Sequence, residues 1–183
     1  MFIRFCFLAI MILSFASQSN PLIKEHRISI NTTGFAFEKI AFEYQYRVNS
    51  FINIIVPLEG SLSSLSVLPN PILNLIRSFG YGFAPKANLL TGLGAMFQYQ
   101  NWFIEPTLKI GYAYIEYPQG SPLVDQKSFL ELTPAFLFGH QTIFDFGLMI
   151  KLGIGAQWRL FFPHVILTNV IAPNVTLALG YAF

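Results

Sequence analysis

Seven charged side chains stand where ion pairing or a binding site becomes possible: Glu43, Arg47, Glu105, Lys109, Glu131, Lys151 and Arg159. Charge is scarce here. Only 11% of the 183 residues are Asp, Glu, Lys or Arg, against about 25% in a soluble domain. Three acids set against four bases point to a mutually neutralised network rather than a single-sign pore. Other chemistry is thin. The histidines are His26, His140 and His164, and none lies in a His-x-Ser motif. His140 and Asp145 flank what reads as a turn, which gives their proximity a topological explanation. No nucleophile–base–orienter set is visible, so the chain reads as a non-enzyme. Cys6 is the sole cysteine, leaving no internal disulfide, and no Cys/His cluster offers a metal site. No cofactor is expected. A net charge of +2 without a Lys/Arg cluster excludes a nucleic-acid partner.

Period-two alternation positions the seven charges. In Ile40 to Val48, Ile40, Phe42, Tyr44, Tyr46 and Val48 share one face, while Glu43, Gln45 and Arg47 share the other. Helical spacing would scatter both sets, so the segment is a strand. Ile104 to Tyr114 repeats the pattern with Glu105 and Lys109 on the polar face. Phe146 to Leu160 does so with Lys151 and Arg159, and Ser128 to His140 with Glu131. Four further segments alternate: Arg27 to Thr33, Phe51 to Leu58, Ala87 to Tyr99 and Val175 to Phe183. That makes eight strands, an even number and the smallest usual membrane barrel.

Composition decides which face is inside. Hydrophobic residues reach 54%, and the polar sets are too small and too rich in Gly and Ala to make a water-facing surface. Past the N-terminus no uninterrupted run of about 20 apolar residues forms a spanning helix. Leu160 to Phe183, the longest charge-free stretch, holds Pro163, Asn169, Pro173 and Asn174. The remaining membrane solution is a closed barrel with apolar side chains toward lipid. The expected fold is thus all-β, an eight-stranded antiparallel up-and-down transmembrane barrel. Its lumen is expected to be filled, since eight strands leave an interior just wide enough for side chains. A girdle of Tyr44, Tyr46, Tyr99, Trp102, Tyr114, Tyr117, Trp158, Tyr181 and Phe183 is expected near strand ends.

Met1 to Ser17 carries Arg4, the apolar run Phe5 to Leu13, and small residues Ser14 and Ala16 before Ser17. This is the pattern of a secretory signal peptide. The expected organisation is a signal peptide over 1–16, an N-terminal periplasmic segment over 17–25, and the barrel over 26–183. Short turns are expected at Asn49–Ser50, Gln100–Asn101 and Gln141–Asp145, on the periplasmic side with both termini. Longer links, Glu59 to Lys86, Pro118 to Lys127 and Phe161 to Asn174, would face outward. The first link, Thr33 to Lys39, is unusually short for an outer one. Glu59 to Lys86 is also apolar, with Leu62, Leu65, Val67, Leu68, Ile72 and Leu73, and Pro69-Asn70-Pro71 ahead of a short helical turn.

FDFGLMIKLGIGAQW (Phe144–Trp158) and LALGYAF (Leu177–Phe183) resemble the last two strands of small bacterial outer-membrane β-barrel proteins with an OmpX/OmpW-like fold. FEYQYRV (Phe42–Val48), preceded by NPL (Asn20–Leu22), resembles the N-terminal strands of an uncharacterised family with that fold. The resemblance implies residence in the outer membrane of a Gram-negative bacterium, with outer-membrane lipid as surroundings. It also implies that Tyr181 and Phe183 form a C-terminal signal for the outer-membrane assembly machinery. Two roles follow as expectations: a structural or surface-interaction role in the envelope, or transport of a small hydrophobic solute.

Overall fold

The computed structural model describes residues 24–33, 39–62, 87–114, 128–162 and 170–183. The expected signal peptide and all but the last two residues of the expected periplasmic segment lie outside them. So do His164, Tyr117, Pro69-Asn70-Pro71 and Leu65 to Leu73. Eight strands run β1 His26–Asn31, β2 Lys39–Arg47, β3 Ile52–Leu62, β4 Ala87–Tyr99, β5 Trp102–Tyr114, β6 Ser128–Ile143, β7 Leu148–Phe162 and β8 Val170–Ala182. Each pairs antiparallel with its chain neighbour, and β1 pairs with β8 to close the barrel. At the closure the Phe183 amide donates to the His26 carbonyl at 2.8 Å, and the His26 amide to the Phe183 carbonyl at 3.1 Å.

The expected faces follow from alternation along strands that all pair on both sides. Large apolar residues point outward, with Leu89 63%, Tyr112 71% and Ile154 66% exposed, whereas Glu131 and Lys151 are fully buried in the lumen. A soluble barrel has the opposite arrangement. This outer surface is stable only against hydrocarbon, where unpaired charge is costly and apolar side chains are not. The register sets the lumen's size. A lateral walk from Arg27 through Gln45, Ile55, Gly94, Thr107, Ala135 and Gln157 reaches Ala172. Arg27's own partner on β8 is Ala182, ten residues further along. A stagger larger than the strand number tilts the strands steeply, toward the upper part of the usual range of about 35–45°.

Four prolines lie within strands, where a missing amide donor interrupts a ladder. The effect is one-sided. Pairing of β3 with β4 skips from Ile55–Gly94 to Leu58–Thr91 beside Pro57, while Pro57 still faces Glu43 on β2. Pro134 interrupts β6–β7 in the same way and stays paired to Leu108 on β5. Inward glycines admit the close strand approach. A side chain at Gly155 would strike the Phe136 carbonyl, and one at Gly153 would strike Leu137.

Several boundaries differ from expectation. Gln141 to Ile143 belong to β6, and the turn is Phe144 to Gly147, with Gly147 at φ +101. Its amide donates to the Phe144 carbonyl at 2.8 Å, closing the turn. Phe146 is therefore a turn residue, not the start of a strand. β1 ends at Asn31 rather than Thr33; Thr33 instead turns its hydroxyl onto Asn31 Oδ1 at 2.6 Å. Glu59 to Leu62 continue β3 rather than opening the long link. Phe161 lies in β7, and β8 begins at Val170 rather than Val175. Where a strand is longer than expected, pairing with its neighbours runs on past residues whose types read as turn formers.

Candidate functional site

The lumen is where the strands bring polar groups together. Its contents are layered from the rim of short turns to the rim of long links. Nearest the turns lies an amide-rich layer of Arg27, Gln45, Asn53, Gln98 and Gln141. Gln45 and Gln141 exchange hydrogen bonds of 3.1 and 3.3 Å. Above it, Ile55, Met96, Phe103 and Leu137 form a buried apolar cluster.

The first charged tier centres on Lys151. Its Nζ lies 2.6 Å from Glu43 Oε1 and 2.5 Å from Glu105 Oε2, and 5.1 Å from the centre of the Phe103 ring. Gln45 also donates to Glu43, at 2.6 Å. The second tier centres on Glu59. Lys109 Nζ meets its Oε2 at 2.6 Å and Lys39 Nζ its Oε1 at 2.7 Å. Between the tiers is a void of about 70 Å³ lined by Ser29, Thr107, Asn174 and Thr176 among others. That is room for a few waters.

The third tier is a fork. Arg159 Nε donates to Glu131 Oε1 at 2.6 Å and Arg159 Nη2 to Oε2 at 2.8 Å. Asn88 and Thr133 add bonds to the same carboxylate at 3.3 and 3.0 Å, so all of its acceptor directions are used. Phe129, Phe161 and Ala113 form a second buried apolar cluster above it. The arginine carbon lies 5.3 Å from the centre of the Phe161 ring.

Six of the seven charges expected inside are thus placed in ion pairs. Arg47 is not: its Nε bonds the Asn49 carbonyl at 3.1 Å, at the turn rim. Three luminal ions were not among the seven. Glu59 and Lys39 fell in segments read as links, and Arg27 at the start of a strand. The signal for each was the inward period itself: 53, 55, 57, 59 and 61 on β3, 39 onward on β2, and 27, 29 and 31 on β1.

Outside the lumen, aromatic rings gather at the turn rim. His26 stacks on Phe183, centres 5.8 Å apart, and takes part in a 2.7 Å hydrogen bond with the Tyr44 hydroxyl. Trp102 stacks on Phe138 at 5.6 Å and meets His140 edge-on at 5.2 Å. His140 therefore packs on the outer face beneath Trp102, with Thr142 Oγ1 3.5 Å from its Nδ1. Among the described residues, no group of three or more His, Cys, Asp or Glu side chains could hold a metal ion.

No protein-family model matches the chain, and no curated protein matches it either. Among solved structures it is similar to the Yersinia pestis outer membrane protein Ail, a backbone structure determined in a phospholipid bilayer nanodisc. The TM-score is 0.42 and the identity 13%, over 87% of this chain and 99% of that one.

Proposed function

We propose that the chain is a non-catalytic outer-membrane barrel with a structural or surface-interaction role in the bacterial envelope. One observation carries this reading: the lumen is filled, and its described carboxylates are all ion-paired. Among the described residues every luminal carboxylate meets at least one ammonium or guanidinium, and apolar clusters lie toward both ends of the stack. Such an interior rigidifies a barrel and does not conduct. In this reading residues 1–16 are removed, 17–25 lie in the periplasm with the short turns, and outer-membrane lipid surrounds the apolar belt. Tyr181 and Phe183 are read by the assembly machinery, a role compatible with Phe183 closing the barrel on His26. The expected result in planar bilayers is no stable, large single-channel conductance; a steady open level would overturn the reading. Membrane placement is checked separately by detergent-dependent extraction and a gel-mobility shift between unheated and boiled samples.

A second reading, binding or passage of a small hydrophobic molecule, is favoured by one feature. A groove of about 520 Å³ runs along the outer wall toward the link rim, between Phe42, Leu58, Leu89 and Tyr112. A side chain at Gly60, in its lining, would meet the Asn88 carbonyl at 3.7 Å and Leu89 at 3.9 Å, ordinary contact distances. Filling it with Gly60→Leu should reduce uptake of an apolar solute; unchanged uptake removes this reading.

A further inference from the structure

The groove on the outer wall is a gap in an otherwise bulky apolar belt. Gly60 pairs laterally with Ile40 on β2 and with Leu89 on β4, and Leu89 pairs with Tyr112 on β5. Along that row every outward residue but Gly60 is large. One row nearer the links, the outward residue on β4 is Ala87, another small one. The exposed side chains that flank the gap, Phe42, Leu58, Leu89 and Tyr112, are continuous with the lipid-facing belt.

Behind the groove the wall is shut. Pairing of β3 with β4 runs unbroken from Leu58–Thr91 to Leu62–Ala87, and that of β4 with β5 from Ala87–Tyr114 to Gly94–Thr107. On the luminal side Ser61 Oγ donates to Asn88 Oδ1 at 2.6 Å, and Asn88 Nδ2 to Glu131 Oε2 at 3.3 Å. A molecule in the groove therefore stays on the outer face. Of binding and passage, only binding fits this wall.

Size and surroundings select the occupant. Leu58 to Leu62 covers about 13 Å of strand, close to the depth of one leaflet of a hydrocarbon core some 30 Å thick. The next outward residue on β4, Thr91, donates its hydroxyl to the Pro57 carbonyl at 3.2 Å, so it asks nothing polar of an occupant. At the link end, Tyr114 and Ser128 are paired across β5 and β6 and bring hydroxyls to the groove. A small apolar solute gains no hydrophobic free energy by leaving lipid for this site, since lipid tails are as apolar as leucine. Packing contacts alone decide, and acyl chains far outnumber any solute.

We propose that the groove seats one acyl chain of a bilayer lipid from the leaflet on the link side, its polar head against the hydroxyls of Tyr114 and Ser128. This rests on the second reading above, whose hydrophobic molecule it names.

The test is photolabelling in phosphatidylcholine nanodiscs doped with a phosphatidylcholine that carries a diazirine in one acyl chain, with the sites mapped by peptide mass spectrometry. Leu89 and Tyr112 should take up label over Ile154 and Ile171, comparably exposed belt residues on the opposite wall. The expected excess is about fivefold, the scale of about ten additional carbon–carbon contacts. Gly60→Leu, which fills the groove, should bring that excess back to the level of the opposite wall; an excess that persists in this variant overturns the proposal. Even labelling around the belt of the unsubstituted protein also overturns it, without any variant having to fold. A small apolar solute bearing a diazirine, used in parallel, separates the two readings. Enrichment of the solute without the lipid keeps the second reading and overturns this one, and enrichment of neither removes both. Photo-leucine in place of Leu89 checks the other occupants: crosslinks to residues 63–86 or to a second copy of the chain, in place of lipid, overturn the proposal.

Discussion

The two charged tiers flanking the luminal void are mirror images in sign. In one, a single ammonium, Lys151, holds two carboxylates, Glu43 and Glu105. In the other, a single carboxylate, Glu59, holds two ammoniums, Lys39 and Lys109. Each alone is unbalanced by one charge, and the two together are neutral. They differ in access to solvent: the Lys151 side chain is fully buried, whereas that of Lys39 is 17% exposed. The comparison teaches that luminal neutrality here is shared along the axis rather than achieved pair by pair. The tier with the buried centre depends on its middle residue far more than the other depends on its outermost one.

Removing each centre measures that difference. Lys151→Met leaves Glu43 and Glu105 without the ammonium that holds them, and should cost about 3–5 kcal/mol in urea unfolding followed by tryptophan fluorescence. Glu59→Gln leaves two ammoniums, but Lys39 can extend its head toward solvent. The loss should be smaller, about 2 kcal/mol, by the same measurement. A loss equal to that of Lys151→Met would show that exposure does not separate the tiers. The least effect is expected from Lys39→Met, since Glu59 keeps Lys109 and the lost pair is partly exposed. A change of about 0–1 kcal/mol is expected, and one above about 2 kcal/mol would mean the second tier needs both cations as strictly as the first needs Lys151.

Much of this is legible in the sequence. Strand number, the inward and outward faces, and the short turns at Asn49–Ser50 and Gln100–Asn101 follow from alternation, because a barrel strand has no third environment. What alternation cannot give is lateral register. That Lys151 meets Glu43, 108 positions away, depends on a stagger of ten accumulated over all eight interfaces, and no local pattern encodes the sum. Strand ends were obscured by residue type. Pro57 and Gly60 make Glu59 read as the start of a link, yet β3 carries the period to Leu62 because its partners on β2 and β4 continue beside it. Arg47 differs in another way: it sits one step past the amide layer, where its Nε donates to the Asn49 carbonyl.

The seam between β1 and β8 has a kinetic consequence. Seven of the eight interfaces join strands consecutive in the chain, so each forms as a hairpin or a link closure of modest span. The eighth joins Arg27 to Ala182, and closing a loop of that length costs about 4–5 kcal/mol of chain entropy. Nearly all non-local ordering is thereby gathered into one event, made by a strand of six residues and the closing pair of His26 with Phe183. Until it happens the chain is a curled sheet with two raw edges, each able to add a strand from another molecule. Afterwards no edge remains, and the barrel's resistance to unfolding rests on how slowly that short seam reopens.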